Sequence, residues 1–513
     1  MRPDQTTPAP ATILLAALSA AALGWFVLHH LGRESFWYDE SMQFWMSMGL
    51  DGFGPPLQTP RGLAGILLEN ARGNLDPGGF TLLVAPWQRL GTEPAWLRTV
   101  PMLFFVAGIA GLGLLGWTWT RSLPFAVAAA LVPACFPMLL DHAMEYRAYS
   151  MEFAGIVLGS LALARLQAKP GIARAALAGC LFGLFLTSRY SYALFTGAAG
   201  IALAGMSYAR DSVRSLRWRI WAAFALPVAL FGVAILVMLF LPQYRARISF
   251  EGGRLLDYLR AAMAVGKSPV ELLELALRNL SRPAAIPATL LAGVGLFALM
   301  PPGWRARLGL GILSNETRLF GILALAALAL NAIAWRWHPW DVERKWSLWL
   351  HALSAVAIVR LAAMAMPYMR TWTNRRRGRS AWVAALCWAG ILALDIRLAT
   401  YRRPVHDNLL PTLAYLETLR PAAGTVAVTG EWYPTLRQFY EYAPLAGSPV
   451  FPSAFRLPHW HGPQPLVTEA TRWIVTAHRP EALGDIVPAR RILRDPALPR
   501  YLYRVAPPDT PGR

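Results

Sequence analysis

From Ala11 to about Thr400 the chain returns repeatedly to apolar runs long enough to cross a hydrocarbon core, and beyond Thr400 the runs stop. Such a crossing takes roughly 20 helical residues. Eleven spans are read, at residues 11–30, 100–119, 123–140, 149–168, 171–187, 192–208, 221–241, 284–301, 319–334, 348–366 and 381–400. They predict an α-helical polytopic membrane protein with about 11 transmembrane helices over residues 1–400, and a small α/β domain over 401–513. A composition of 55% hydrophobic and 15% charged residues, with mean hydropathy +0.37, agrees with a membrane class rather than a soluble enzyme. Residues 80–90 are too short and interrupted to cross and read as a membrane-surface helix. The first run follows Arg2 and contains Ala20, Ala21 and Ala22, an outline shared with cleaved signal sequences. Its removal would spoil the charge alternation along the chain, so it is read as an anchor.

That alternation orients the spans. With a cytoplasmic N-terminus, the inward links carry Arg121, then Arg165, Lys169 and Arg174, then Arg210, Arg214, Arg217 and Arg219, then Arg305 and Arg307. The last inward link holds Arg370, Arg375, Arg376, Arg377 and Arg379, completing the pattern of short basic loops kept on the cytoplasmic side. The outward links are then 31–99, 141–148, 188–191, 242–283 and 335–347, and nearly all acidic residues before the tail lie in or beside them. Chemistry is expected on that face. An odd number of spans puts the tail there as well.

The formal net charge of +20 does not point to nucleic acid, because the basic residues sit in short links and no reader module or stacking platform is legible. It suits anionic lipid head groups and phosphate-bearing substrates. Cys135, Cys180 and Cys387 all fall within expected spans, which leaves no disulfide framework or cysteine metal site. In the tail, 424–429, 472–476 and 501–505 read as strands and 434–442 as a helix.

Two acidic motifs face outward. Ser35-Phe36-Trp37-Tyr38-Asp39-Glu40 follows the first span, with aromatic residues at interfacial depth. Adjacent carboxylates at a helix start point about 100° apart, so one can face a substrate while the other is tied to the scaffold. Both also simply suit the positive end of a helix running on through Ser41 to Met48. The second motif is Asp141-His142-Ala143-Met144-Glu145-Tyr146-Arg147-Ala148-Tyr149. Four-residue spacing of Asp141, Glu145 and Tyr149 predicts one helical face, able to bind a divalent cation or to orient Arg147 toward a phosphate; a plain Glu145 to Arg147 ion pair would use the same residues. Arg98, Arg189, Arg344 and Lys345 add outward positive charge suited to a lipid phosphate, although each alone would serve as a snorkelling anchor. His338, His459 and His461 are outward too; His459-Trp460-His461 has no carboxylate or cysteine at ligand spacing.

In series, Trp37-Tyr38-Asp39-Glu40 after the first span, Trp96-Leu97-Arg98 before the next, Glu145-Tyr146-Arg147-Ala148-Tyr149 and Arg344 before a late span resemble the GT-C superfamily of membrane glycosyltransferases. The likeness is to the bacterial relatives of protein O-mannosyltransferases and of the aminoarabinose transferase that modifies lipid A. It covers residues 11–400 in order and spacing. The resemblance implies a GT-C-like fold in a bacterial inner membrane. It also implies inverting transfer of a sugar from a polyprenyl-phosphate carrier to a lipid, glycan or protein acceptor. By the same resemblance Asp39 is the general base, Glu40 orients the acceptor or neighbouring arginines, and Arg147, Arg189, Arg344 and Lys345 neutralise the leaving phosphate, with Arg98, Glu145 and Tyr149 in the same substrate region. A divalent cation stays open, with Asp39, Asp141 and Glu145 as candidate ligands. Where relatives carry a His-Pro-Pro-aromatic stretch, this chain reads Asn74-Leu75-Asp76-Pro77-Gly78-Gly79-Phe80, which places Asp76 in the acceptor region. The rival class is a lipid or sugar transporter or flippase. Such proteins place ionisable residues near the bilayer midplane and repeat their halves; here Asp395 is the main acidic residue deep in a span and no repeat is visible.

Overall fold

The structure, a computed structural model, describes residues 10–31, 35–55, 57–73, 76–207, 214–237, 285–301, 303–304, 314–337, 348–374, 379–402, 408–422, 424–428, 432–442, 455–456, 470–476, 492–493 and 497–506. The outward link 242–283, most of 335–347, and Arg344, Lys345, His338, His459 and His461 lie outside the described residues.

The chain forms two compact units that are not consecutive in sequence: Met1–His30, Leu75–Pro77 and Pro101–Arg403 make one, and Leu31–Asn74, Gly78–Val100 and Pro404–Arg513 make the other. A division near residue 400 was the expectation; in the structure most of the first outward link groups with the tail. Side-chain bonds spanning more than 370 residues, such as Leu409 N–H to Ser35 Oγ at 3.0 Å, are the reason.

The first helices are α1 (Pro10–His30), α2 (Tyr38–Ser47), α3 (Leu63–Gly73), α4 (Gly79–Gln88) and α5 (Pro94–Leu97). Then come α6 (Thr99–Thr120), α7 (Leu123–Leu131), α8 (Pro137–Asp141), α9 (Tyr149–Ala168), α10 (Ile172–Leu186), α11 (Tyr192–Ser207) and α12 (Arg214–Ile235). The helical region closes with α13 (Ala285–Leu299), α14 (Asn315–Trp337), α15 (Leu348–Asn374) and α16 (Arg379–Thr400). A helix stands at each expected span, and the protein is an α-helical polytopic membrane protein. Among the described residues six helices are long and apolar enough to cross a membrane: Pro10–His30, Pro94–Thr120, Tyr149–Ala168, Trp218–Ile235, Asn315–Ala334 and Leu348–Pro367. Shorter apolar helices occupy Leu123–Cys135, Ile172–Leu186, Tyr192–Met206 and Pro287–Leu299. The third span, expected unbroken over 123–140, is interrupted: α7 tightens into a 3₁₀ turn at Val132–Cys135, Phe136 is extended, and α8 starts at Pro137. Pro133 and Pro137 cannot donate the backbone bonds that a continuous helix needs.

Within this unit α9 and α15 are inner helices, and α1 leaves one apolar side exposed. On α1, Leu15, Ser19, Ala22 and Phe26 are buried at helical spacing while Ile13, Leu14, Leu18, Trp25 and Leu28 are exposed. Ser19 donates a 3.1 Å hydrogen bond to Asp395 of α16, a polar tie of the kind that joins helices in lipid. Close approach around α9 depends on small residues. A Cβ on Gly108 of α6 would stand 2.3 Å from the Phe153 ring, and one on Gly155 would meet Phe185 at 2.7 Å and Tyr192 at 2.8 Å.

The described residues of the second unit contain α2 to α5, α17 (Leu410–Leu419), α18 (Tyr433–Tyr442) and a sheet of five strands. Its strands are β1 (Val426–Val428), β2 (Phe455–Arg456), β3 (Trp473–Val475), β4 (Ile492–Leu493) and β5 (Leu502–Val505), in the order β2-β1-β3-β5-β4. β1 is parallel to β2 and β3, whereas β5 runs antiparallel to β3 and β4. Val426 and Val428 join Leu413, Leu436, Phe439 and Val475 in one core, while Ala427, Ile474, Tyr503 and Val505 form another, as the two-residue period of a strand requires. The expected strands and helix of the tail are all present; α17 and the two-residue β2 and β4 were not anticipated. Gly78, which opens α4, has φ +89, and a Cβ there would also lie 2.6 Å from Asn70 Nδ2.

Candidate functional site

In the helical unit, Asp76, Arg147, Glu152 and Arg189 converge although they lie on four separate segments. Arg189 comes from the link after α10, and its Nε donates to Asp76 Oδ1 at 3.4 Å while Nη1 donates to Glu152 Oε2 at 3.0 Å. Arg147 Nη2 lies 3.5 Å from the other Asp76 oxygen, so one carboxylate sits between two guanidiniums. The second Glu152 oxygen accepts from Ser191 Oγ. Arg189 also stands 4.6 Å above the Tyr149 ring, a cation–π contact at the start of α9. Glu152 and Arg189 are fully buried, whereas Arg147 keeps 9% of its surface. Burial works to lower the Arg189 pKa, but Glu152 and Asp76 outweigh it and raise it.

The segment between α8 and α9 corrects one expectation. It is a series of bends and turns rather than a helix, so Asp141, Glu145 and Tyr149 do not share a face. Asp141 accepts a 2.6 Å bond from the Tyr401 hydroxyl, Glu145 pairs with His142 Nδ1, and the His142 ring lies 4.7 Å from Tyr149. Arg147 pairs with Asp76. Ser150 Oγ pins the turn by donating to Ala143 O at 2.7 Å and His142 O at 3.2 Å. Among the described residues no group of three His, Cys, Asp or Glu side chains is arranged to hold a metal ion.

In the other unit, Trp37 precedes α2 and Asp39 and Glu40 occupy its first turn, where the helix dipole favours negative charge. The two carboxylates diverge. Glu40 is buried and receives Arg98 Nε at 3.0 Å and Nη2 at 2.6 Å, the two-point geometry of a guanidinium and a carboxylate. Arg98 also donates to Ser35 O at 3.1 Å and lies 5.3 Å over the Phe36 ring. Asp39 is half-buried.

Glu152 is absent from the candidate residues read from the sequence. A carboxylate inside an apolar span is costly and so marks function or a buried partner, and that signal was present at residue 152. The His142–Glu145 pairing and Ser191 are absent as well, since only local turn chemistry speaks for them.

No family model matches this chain, and no curated protein matches it. Among solved structures it is similar to the Archaeoglobus fulgidus oligosaccharyltransferase in complex with zinc and sulfate, at 16% identity and a TM-score of 0.45 over 85% of this chain and 57% of that one. The same enzyme tethered through a disulfide to an acceptor peptide containing the NVT sequon gives 13% identity and a TM-score of 0.43, over 88% and 61% of the two chains. This chain thus covers less than two thirds of either.

Proposed function

We propose that the protein is a GT-C-type membrane glycosyltransferase that moves a sugar, with inversion, from a polyprenyl-phosphate carrier to a lipid, glycan or protein hydroxyl. The observation that carries this reading is the Arg147–Asp76–Arg189–Glu152 cluster. Two guanidiniums built around buried carboxylates are preorganised to receive phosphate charge, and preorganised charge is worth most in a low-dielectric setting. Arg147, the more exposed of the two, is the phosphate ligand and Arg189 is its support.

In the proposed reaction Asp39 takes the proton from the acceptor hydroxyl as that oxygen bonds to the anomeric carbon. The bond from that carbon to the phosphate oxygen breaks, and its electron pair leaves on polyprenyl phosphate. Glu40 holds the start of α2 through Arg98. The asymmetry of basic and acidic links supports a cytoplasmic N-terminus and an extracytoplasmic reaction in a bacterial inner membrane. The Ser19–Asp395 pair inside the membrane favours the second reading, a transporter or flippase.

The test is transfer in membrane vesicles with a panel of radiolabelled polyprenyl-phosphate sugars, with and without a divalent cation, comparing wild type and Asp39→Asn. Labelled product that disappears in a correctly inserted Asp39→Asn protein supports the assignment. Product retained by that variant removes Asp39 from the chemistry, and lipid or sugar movement without product supports transport.

A further inference from the structure

Helix α2 carries Asp39 on one side and is gripped on another by the tail. Ser41 and Trp45 are four residues apart and share a helical face. Ser41 Oγ and Thr435 Oγ1, both buried, are 2.6 Å apart, and Trp45 Nε1 donates to Pro434 O at 2.9 Å. These partners open α18. One turn later Arg437, fully buried, lays its guanidinium 3.8 Å from the centre of the Trp45 ring and donates to the Asp51 carbonyl at 2.8 Å, just beyond the end of α2. Glu441 neutralises Arg437 at 2.6 Å from the same helix. At the far end of α18 the Tyr442 ring lies 5.7 Å from Phe44 and 5.8 Å from Trp45. The two helices therefore meet through polar, aromatic and charged contacts along the full length of α18.

The seam leaves no slack. A Cβ on Gly52 would stand 2.8 Å from Met42 Sδ, 3.2 Å from Trp45 and 3.4 Å from Pro434. An apolar face alone would let α2 slide by part of a turn. Paired hydroxyls and a fixed indole bond define one register, because each loses its partner if the helix shifts.

We infer that α18 of the C-terminal domain is a clamp that sets the register of α2, and that Thr435 is a positioning residue for Asp39. This rests on the reading of Asp39 as the proton acceptor. Tail and reaction are thereby coupled: a ligand or partner that shifts α18 would change the rate without touching substrate.

The experiment uses the full chain in lipid nanodiscs. Backbone hydrogen exchange over residues 38–47 is measured for wild type, Ser41→Ala, Thr435→Val, their double variant and Thr435→Ser, beside kcat and KM for the donor that gives Asp39-dependent transfer. Loss of the hydroxyl pair is expected to speed exchange there roughly tenfold, no more in the double variant than in Thr435→Val. Residues 149–168 stay unchanged. kcat falls severalfold at constant KM, and Thr435→Ser restores both readouts. Unchanged exchange in Thr435→Val overturns the clamp. Faster exchange at unchanged kcat, in a protein that Asp39→Asn inactivates, overturns the positioning role. If Asp39→Asn itself retains transfer, the failure lies with the proposed function, and the exchange result still decides whether α18 holds α2.

Discussion

Arg98 and Glu40, 58 residues apart, meet through two hydrogen bonds of 3.0 and 2.6 Å in a site closed to solvent. The pair joins the first turn of α2 to the residue that follows α5. Removing one member strands a buried charge, which typically costs about 3–5 kcal/mol. Arg98→Ala is therefore expected to lower the thermal unfolding temperature sharply in detergent. Arg98→Lys keeps the charge but loses the fork and should fall between Arg98→Ala and wild type.

Arg147 and Arg189 share Asp76 yet differ in what they leave behind. Arg147→Ala removes a guanidinium 3.5 Å from Asp76 at the edge of the cluster and should cost about 10²-fold in transfer with little change in unfolding temperature. Arg189→Ala strips the buried Glu152 of its guanidinium and should lose both activity and stability. Equal thermal losses in the two variants would contradict the division of labour.

Among the described residues of the tail-containing unit, burial shifts the carboxyls of Asp51 and Glu69 upward. Burial raises the Asp51 pKa, and burial with help from Asp51 raises that of Glu69, in each case against nearby arginines. A carboxyl raised on folding binds its proton more tightly in the native state. The stability it contributes is full below the ordinary carboxylate range and is lost as pH rises through the raised value. Unfolding temperatures recorded from pH 3.5 to 7 should show that loss, and Glu69→Gln should shrink it.

Gly108 and Phe153 test the packing of α6 on α9. Gly108→Val is expected to destabilise by about 1–3 kcal/mol through overpacking, because its Cβ would begin 2.3 Å from the ring. Adding Phe153→Leu should recover part of the loss, a coupling that two independent sites would not show.

The membrane spans were legible because a window of about 20 apolar residues is a local property. Pro133 and Pro137 broke the third span, and their meaning was available in the sequence but outweighed by hydropathy. The four-residue spacing of Asp141, Glu145 and Tyr149 misled because periodicity says nothing once a segment is not helical. Arg189 stands out in the sequence by its charge, while its partner Glu152 lies hidden in an apolar run. In the tail, Val426–Val428 carried strand chemistry, but Phe455–Arg456 and Ile492–Leu493 are too short to leave a pattern. Which residues meet across the chain, such as Ser41 with Thr435, has no local signature at all.

Ser35 and Asn408 tie the folding of α2 to the order in which the protein is made. Ser35 N–H donates to Asn408 Oδ1 at 3.3 Å, and Ser35 Oγ accepts from the next backbone N–H at 3.0 Å. Residues 35–47 leave the ribosome early, while the segments that bury Ser41 and Trp45 are synthesised only after the last span. During translation α2 must wait with the Trp45 indole and the Ser41 hydroxyl without their tail partners until the tail arrives. A polypeptide released after residue 400 would retain its apolar helices and Asp39 yet lack the surface that completes α2.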